Sequence, residues 1–572
     1  MMAQPARPMM PLPIPDPEAE VRSERSLRAS LRRIDGWGSL AWREIHGVWR
    51  LGDATIVLEA PEWEAGDDED ERLLFLVVDH GLGRDEPVAT ADWVLRQVWA
   101  TLLAQPAVRA WTVRPGPAVR ASNACWSPVP GRLVLRLHLR LPYAGMGIDA
   151  KRLGRFLSQV AVFAADLARR RRRPQLVAHR RAVAVQRALR AALPGAGLCA
   201  FLAEGSILPR GADGGPAAGA TPLAVPAEVA VTVDLGLLGQ HRGLGIRQGV
   251  TALAGAPYHG KSTFLGAIAS GAEDHPPGDG RERVVADASL VPVQAEDGRR
   301  IHDTDLSAFF TTLPGADPRR FTTARASGAT SMAATVLQGL AGGCRLLLID
   351  EDTAASNLLV IDPDMRRLLG KRLAGTRTLL EHLPSFAATG VSAVLVAGSS
   401  TASLVAADRV LIVDHFQPQE ATRAARRIAG PRAPISPFPG VFRHLGDDPD
   451  VVFGPRHFLR IDATEPERPR LRIADRWHSL DLRRSGWSLD GPRVTGAILA
   501  AAWCSRLAAG GCSVEALAQR YAAWIADSPT VLDPFHTALV TVPPWPLVLG
   551  VLERLEGVRV GDGGLTGPTL AP

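Results

Sequence analysis

Residues 255–263 read Gly-Ala-Pro-Tyr-His-Gly-Lys-Ser-Thr, a complete G-x-x-x-x-G-K-[ST] phosphate-binding loop. Such a loop constrains the fold because it works only between a strand and a helix. Glycines let successive backbone N–H groups converge on phosphate oxygens, and the helix N-terminus adds its partial positive charge. The flanking sequence supplies both elements. Val250–Ala254 reads as a short apolar strand, and Ser262–Ala269 opens a helix with Phe264, Leu265 and Ile268 on one face. Lys261 stands out against the composition, since only three of the 65 basic residues are lysines: Lys151, Lys261 and Lys371. A compact ammonium on a flexible stem reaches β- and γ-phosphates where a planar guanidinium fork fits poorly. On this reading Gly255, Ala256, Pro257, Tyr258, His259 and Gly260 cradle the phosphates. Lys261 neutralises them, Ser262 offers its hydroxyl to Mg²⁺, and Thr263 meets the α-phosphate side. His259 is expected to face solvent or the ribose.

Two further stretches fit the same chemistry. Leu346-Leu-Leu-Ile-Asp350-Glu351 is an apolar strand ending in two carboxylates. Asp350 is placed to hold the Mg²⁺ shell and Glu351 to polarise an attacking water. Ala326-Ser327-Gly328-Ala329-Thr330-Ser331 precedes a helical pattern carried by Met332, Val336 and Leu340. Its serines and threonine are good N-caps, which by itself predicts an ordinary helix start. Further strands at Val391–Ala397 and Val410–Val413, alternating with helical patterns, argue a mostly parallel α/β sheet.

These stretches, with Gly205-Ser-Ile-Leu-Pro-Arg210, Pro277-Gly-Asp-Gly-Arg-Glu282, Ala295-Glu-Asp-Gly-Arg299 and Leu348-Ile-Asp-Glu-Asp-Thr353, resemble the family of predicted ATPases of the ABC class. The resemblance covers residues 27–430 well and the rest poorly. It implies an α/β P-loop NTPase core of ABC type, with an N-terminal α+β domain and a small C-terminal α-rich domain. It implies ATP and Mg²⁺ as ligands and a homodimer that sandwiches two ATP molecules. Ser327, Gly328 and Ala329 would then act on the γ-phosphate of the other subunit. The chain departs from transporter cassettes in one telling place: Gly398-Ser399-Ser400 stands where a switch histidine is expected, so the γ-phosphate contact falls to Ser399 or Ser400. The glutamine-loop role falls to Gln294 or Glu296. Arg210, Arg281 and Arg299 are open to either phosphate contact or ordinary ion pairing.

Charge divides the chain. Residues 101–200 hold 18 Arg/Lys against Asp149 and Asp166, a net of +16, while the whole chain is +6, so the remainder carries −10. Part of that is an acidic cluster, Glu62 to Glu71. Residues 132–141 alternate strictly, with Leu133, Leu135, Leu137, Leu139 and Leu141 on one face and Arg132, Val134, Arg136, His138 and Arg140 on the other. Period two predicts a half-buried strand with a cationic outer face. Asp149 is placed to cap a helix running to Arg173, where Pro174 interrupts it, and a second helix spans about 175–193. The arginines Arg136 and Arg140, with His138, and the run Arg169, Arg170, Arg171, Arg172 and Arg173 are the candidate nucleic-acid contacts, since phosphate backbones attract such surfaces. An Arg-lined sheet face suits single-stranded or structured RNA, DNA stays open as a partner, and no motif indicates sequence-specific readout.

The expected organisation is a tail at 1–26, a basic domain at 27–193, the ATPase domain at 194–432 and a C-terminal domain at 433–572. That last domain contains an amphipathic helix from Ser513 through Leu517, Tyr521, Trp524 and Ile525. Five scattered cysteines argue against a disulfide framework or structural zinc. No apolar run approaches a membrane span, so no membrane partner and a cytoplasmic setting are expected. The leading expectation is an ATPase coupled to RNA binding. The alternative is a nucleic-acid-binding protein gated by ATP with little hydrolysis. A transporter subunit is disfavoured, because the basic N-terminal domain has no place in that architecture.

Overall fold

Five apolar runs, Val291–Val293, Leu346–Asp350, Ser392–Ala397, Val250–Ala254 and Arg409–Asp414, lie side by side in that order as a parallel sheet, and Gln417–Glu420 closes one edge antiparallel. Their near-continuous burial is what a sheet covered on both faces requires. In the computed structural model the described residues are 20–59, 71–79, 82, 85–170, 173–212, 214–373, 375–432, 435, 438, 444–445, 460–473, 476–508, 512–526, 528–533 and 538–555. The acidic cluster before Glu71, Arg171, Arg172 and both chain ends fall outside them. Among the described residues no helix is long and apolar enough to cross a membrane.

The chain falls into two compact units, Met1–Ala184 with Ala523–Val542, and Val185–Ala522 with Pro543–Pro572. The first boundary therefore comes earlier than the expected 193.

In the second unit, one face of the parallel sheet packs through helix Lys261–Ser270 toward a four-stranded antiparallel sheet. The strand order of that sheet is Ala230–Asp234, Gln240–Arg247, Leu198–Ala203, Val284–Ala286. Phe264, Leu265 and Ile268 are buried there with Leu253, Leu348, Val394 and Leu411, as the apolar face of that helix predicts. The other face of the parallel sheet carries helices Gly328–Ala341 and Leu379–Ala388, which bury Met332, Val336, Leu383 and Phe386.

The first unit is built on a sheet in which Arg132–Arg140 is an interior strand, paired antiparallel with Glu71–Asp79 on one side and with Ala110–Trp111 and Cys125–Trp126 on the other. Helix Ala150–Arg170 covers it. Asp149 caps this helix, its Oδ1 accepting from the Arg152 amide at 2.8 Å. The leucine face of the strand is core, as expected. The other face corrects the sequence reading, because Arg136 is 0% exposed and His138 only 3%. Arg136 lies 3.6 Å from Asp533 and donates to the Ala538 carbonyl at 3.0 Å. His138 pairs with Glu71. A segment some four hundred residues downstream supplies the carboxylate and the carbonyl that bury this arginine, and period two says which residues share a face, not what covers it. Burial, only partly offset by Asp533, pulls the Arg136 guanidinium down to about 10, and burial likewise lowers His138. Neither side chain offers charge to a nucleic acid. Arg140 is half-buried, whereas Arg169 and Arg173 are exposed. Arg170 ends the helix.

Candidate nucleotide site

The register of the parallel sheet sets the site. Asp350 pairs with Val396, and Val396 with Leu253, so the acidic strand, the strand before Gly398 and the strand before Gly255 end level with one another. The acidic strand is not the direct neighbour of the phosphate-loop strand, because Ser392–Ala397 lies between them. Residues 255–263, 350–351 and 398–400 therefore gather at the carboxyl ends of the strands, where open α/β sheets bind ligands.

The loop has the geometry of an anion cradle. Gly255 has φ +146°, and a Cβ there would meet the Val413 carbonyl oxygen at 2.4 Å. Gly260 has φ +99°, and a Cβ there would strike the Phe416 ring at 2.3 Å. Only glycine fits either position. Tyr258 also takes a left-handed backbone, φ 66°, and is fully exposed, with Ala256 and Pro257 exposed beside it. Helix Lys261–Ser270 starts without a side-chain cap, so the amides of its first turn have no side-chain acceptor of their own. Lys261 Nζ donates back to the Gly255 and Ala256 carbonyls at 2.7 and 2.9 Å, which holds the ammonium over the loop. Ser262 is exposed and Thr263 half-buried. A loop that excludes side chains at two glycines, with an ammonium over it and uncapped amides behind it, fits a triphosphate. Ser262 and Asp350 are the residues that would hold its magnesium.

Glu351 and Ser399 come together. The Gly398 and Ser399 amides donate to Glu351 Oε2 at 2.6 and 3.2 Å, and the Ser399 hydroxyl donates to Oε1. Ser400 is occupied otherwise, capping helix Thr401–Ala406 by accepting from the Ala402 amide. Of the two serines left open by the sequence, Ser399 is the one at the carboxylate.

Ser327 caps helix Gly328–Ala341 and stays exposed, with its Oγ accepting from the Thr330 amide at 3.3 Å. Gly328 packs closely on the loop after Val293: a Cβ there would lie 3.2 Å from Ala295. Ala329 is half-buried. Gln294 is half-buried at the end of its strand. Glu296 is buried and accepts from Arg554 Nη2 at 2.7 and 2.5 Å. Arg299 bonds Thr335 and Gln338, and Gln338 donates to Glu553 at 2.9 Å. A buried polar network thus joins the loop, the Ser327 helix and helix Trp545–Leu555. It leaves Gln294, not Glu296, available at the sheet edge.

Arg210 and Arg281 are structural. Arg210 pairs with Asp279 at 2.5 Å, and Arg281 donates to the Leu208 carbonyl at 3.0 Å and to Ser270 Oγ at 3.1 Å. Burial works against the Asp279 carboxylate, but hydrogen bonds from His275 and Arg210 outweigh it and hold the group below its ordinary range.

His259 is half-buried and makes a contact the sequence did not suggest. Its Nδ1 lies 2.6 Å from Asp414 Oδ1, and His415 Nδ1 lies 2.7 Å from the same oxygen. Hydrogen bonds from His415 first and His259 second keep the Asp414 carboxyl below its usual value. Sequence reasoning missed this cluster. Its only sequence signal was an Asp-His pair ending a strand whose adjacency to the phosphate-loop strand is a matter of topology.

Fold and site together define a P-loop nucleotide-binding protein. Residues 172–435 match the P-loop domain of the ABC ATPase family, so the chain carries a P-loop domain of the ABC ATPase class. An uncharacterised protein of Methanocaldococcus jannaschii is 35% identical over 145 residues, a match covering 24% of this chain and 31% of that protein's length. A solved ATP-binding cassette of an ABC transporter in its ADP conformation aligns at 14% identity with a TM-score of 0.23, covering 33% of this chain and 87% of that one.

Proposed function

We propose that the protein binds Mg-ATP at the 255–263 loop and hydrolyses it in a site completed by a second copy of the chain. The observation that carries this reading is the Glu351 carboxylate, aimed by the Ser399 hydroxyl and two amides at the strand edge that also holds the phosphate loop. Lys261 and the loop amides hold the β- and γ-phosphate charge. Bound magnesium, held by Ser262 and Asp350, would neutralise charge on the same oxygens. Glu351 orients and polarises the attacking water, and Ser399 takes the place of the switch histidine by fixing that carboxylate. Gln294 senses the γ-phosphate from the neighbouring strand end. The exposed Ser327–Ala329 helix start serves the partner's nucleotide.

The nucleic-acid reading moves with the structure. With Arg136 and His138 buried, the densest exposed charge of the basic segment is Lys151, Arg152, Arg155 and Arg169 along one helix with Arg173 just beyond it, while Arg109, Arg114 and Arg181 are exposed elsewhere. RNA binding by that helix, coupled to turnover, is the finer form of the proposal.

Glu351→Gln tests the cycle. Size measurement with ATP and magnesium should show a trapped dimer, and turnover should fall by roughly 10²–10⁴-fold, the range for loss of a positioned base. A monomer in both wild type and variant would refute the composite site. Single-stranded RNA added to the wild type should raise turnover in a salt-sensitive way if the coupling is real.

A further inference from the structure

Where the phosphate loop meets the end of the neighbouring strand, three donor side chains converge. His259, Asp414 and His415 each present one ligand atom, and these atoms lie within 4.8 Å of one another. They come from two segments that the fold locks together. Strand Val250–Ala254 runs parallel to Arg409–Asp414 with Ala254 opposite Ile412. The Phe416 amide donates to the His259 carbonyl at 3.0 Å, and Gly260 seats against the Phe416 ring. The imidazoles of His259 and His415 stand 4.4 Å apart between centroids. The donors sit at an open surface, with His259 28%, Asp414 46% and His415 82% exposed at the side chain, so a hydrated ion has a way in and keeps water on its free positions.

We propose that His259, Asp414 and His415 bind a single divalent transition ion of the zinc type. Two imidazole nitrogens and one carboxylate oxygen select a borderline ion such as Zn²⁺, Co²⁺ or Ni²⁺ over Mg²⁺ or Ca²⁺, which prefer all-oxygen shells. Three protein ligands with water completing the shell make an open site. Because His259 belongs to the phosphate loop while Asp414 ends strand Arg409–Asp414 and His415 opens the turn after it, the ion clamps one segment to the other and restrains the loop that receives the nucleotide. The ion is distinct from the magnesium of the nucleotide, whose ligands Ser262 and Asp350 are oxygen donors. The inference does not depend on hydrolysis or on dimer formation.

The test uses the full-length, tag-free protein without nucleotide. Co²⁺ is titrated in and followed by visible absorption, and Zn²⁺ binding is measured by calorimetry. The expected result is one ion per chain, with ligand-field bands of nitrogen and oxygen coordination and no sulfur-to-cobalt charge transfer. His415→Ala removes an exposed side chain and should keep the fold. It should weaken the ion by about tenfold or more, at the scale that even outer partners of metal ligands command. His259→Ala should do the same, with its folding checked by circular dichroism. The proposal is overturned if the wild type takes up no stoichiometric ion. It is equally overturned if His415→Ala binds as tightly as wild type, or if the spectrum shows thiolate ligation.

Discussion

Arg554→Met isolates the contact that ties helix Trp545–Leu555 to the loop after Val293. In the wild type, Arg554 Nη2 meets both Glu296 oxygens, at 2.7 and 2.5 Å, and the two side chains are only 8% and 7% exposed. Methionine fills much of the arginine stem's space but leaves Glu296 charged and buried. Breaking a buried pair from one side costs about 3–5 kcal/mol, because the surviving charge has lost both water and partner. Here the lower end applies, since Arg299 Nη1 remains 3.7 Å from Glu296 Oε1 and screens it. About 3 kcal/mol, in a unit of this size, lowers the melting temperature by roughly 4 °C. The Glu296 amide also donates to Ser331 Oγ at 2.9 Å, so the disturbance reaches the helix that starts at Ser327. The assay is thermal unfolding followed by circular dichroism, with Glu296→Leu/Arg554→Met as control. Removing both charges replaces the pair with apolar packing and should recover most of the loss. If Arg554→Met melts within about 1 °C of wild type, or if the double variant is worse than the single, then the ion pair is not what holds this network, and the reasoning fails.

Ser399→Ala removes a hydrogen bond to a charged carboxylate, which is worth about 1.5–3 kcal/mol. If that bond serves the transition state, kcat should drop by roughly 10–100-fold with KM little changed; an unchanged kcat would remove Ser399 from the mechanism. Asp279→Asn should destabilise the protein at neutral pH. The Asp279 carboxyl is held below its unfolded value of about 3.9, so its contribution is complete above that value and disappears as pH falls through the lowered one. The melting-temperature gap between wild type and variant should therefore close on acidification below about pH 4; a gap that widens there would contradict the assignment.

What the sequence made legible is what local spacing encodes. The loop at 255–263, its strand and helix, the acidic strand and the capped helix at Ser327 all stand where turn chemistry and apolar runs put them. The level strand ends that gather Glu351 with Ser399 could be inferred only from the class of fold, and the sequence could not choose between Ser399 and Ser400, because that depends on which one caps the next helix. Long-range burial was out of reach. The cationic face of 132–141 looked solvated because its cover comes from Asp533 and Ala538. Glu296 looked available because Arg554, 258 residues away, carries no signal of its pairing. The cluster of His259 with Asp414 and His415 was hidden for a related reason: strand order, not sequence order, makes them neighbours.

Nucleotide binding at the phosphate loop precedes every step proposed for this protein. Calorimetric titration of ATP with magnesium into the full chain should show saturable binding of one nucleotide per chain. Lys261→Ala, folded by circular dichroism, should lose most of that affinity. Heat that is absent from the folded wild type, or a variant that binds as well as its parent, would contradict the central claim.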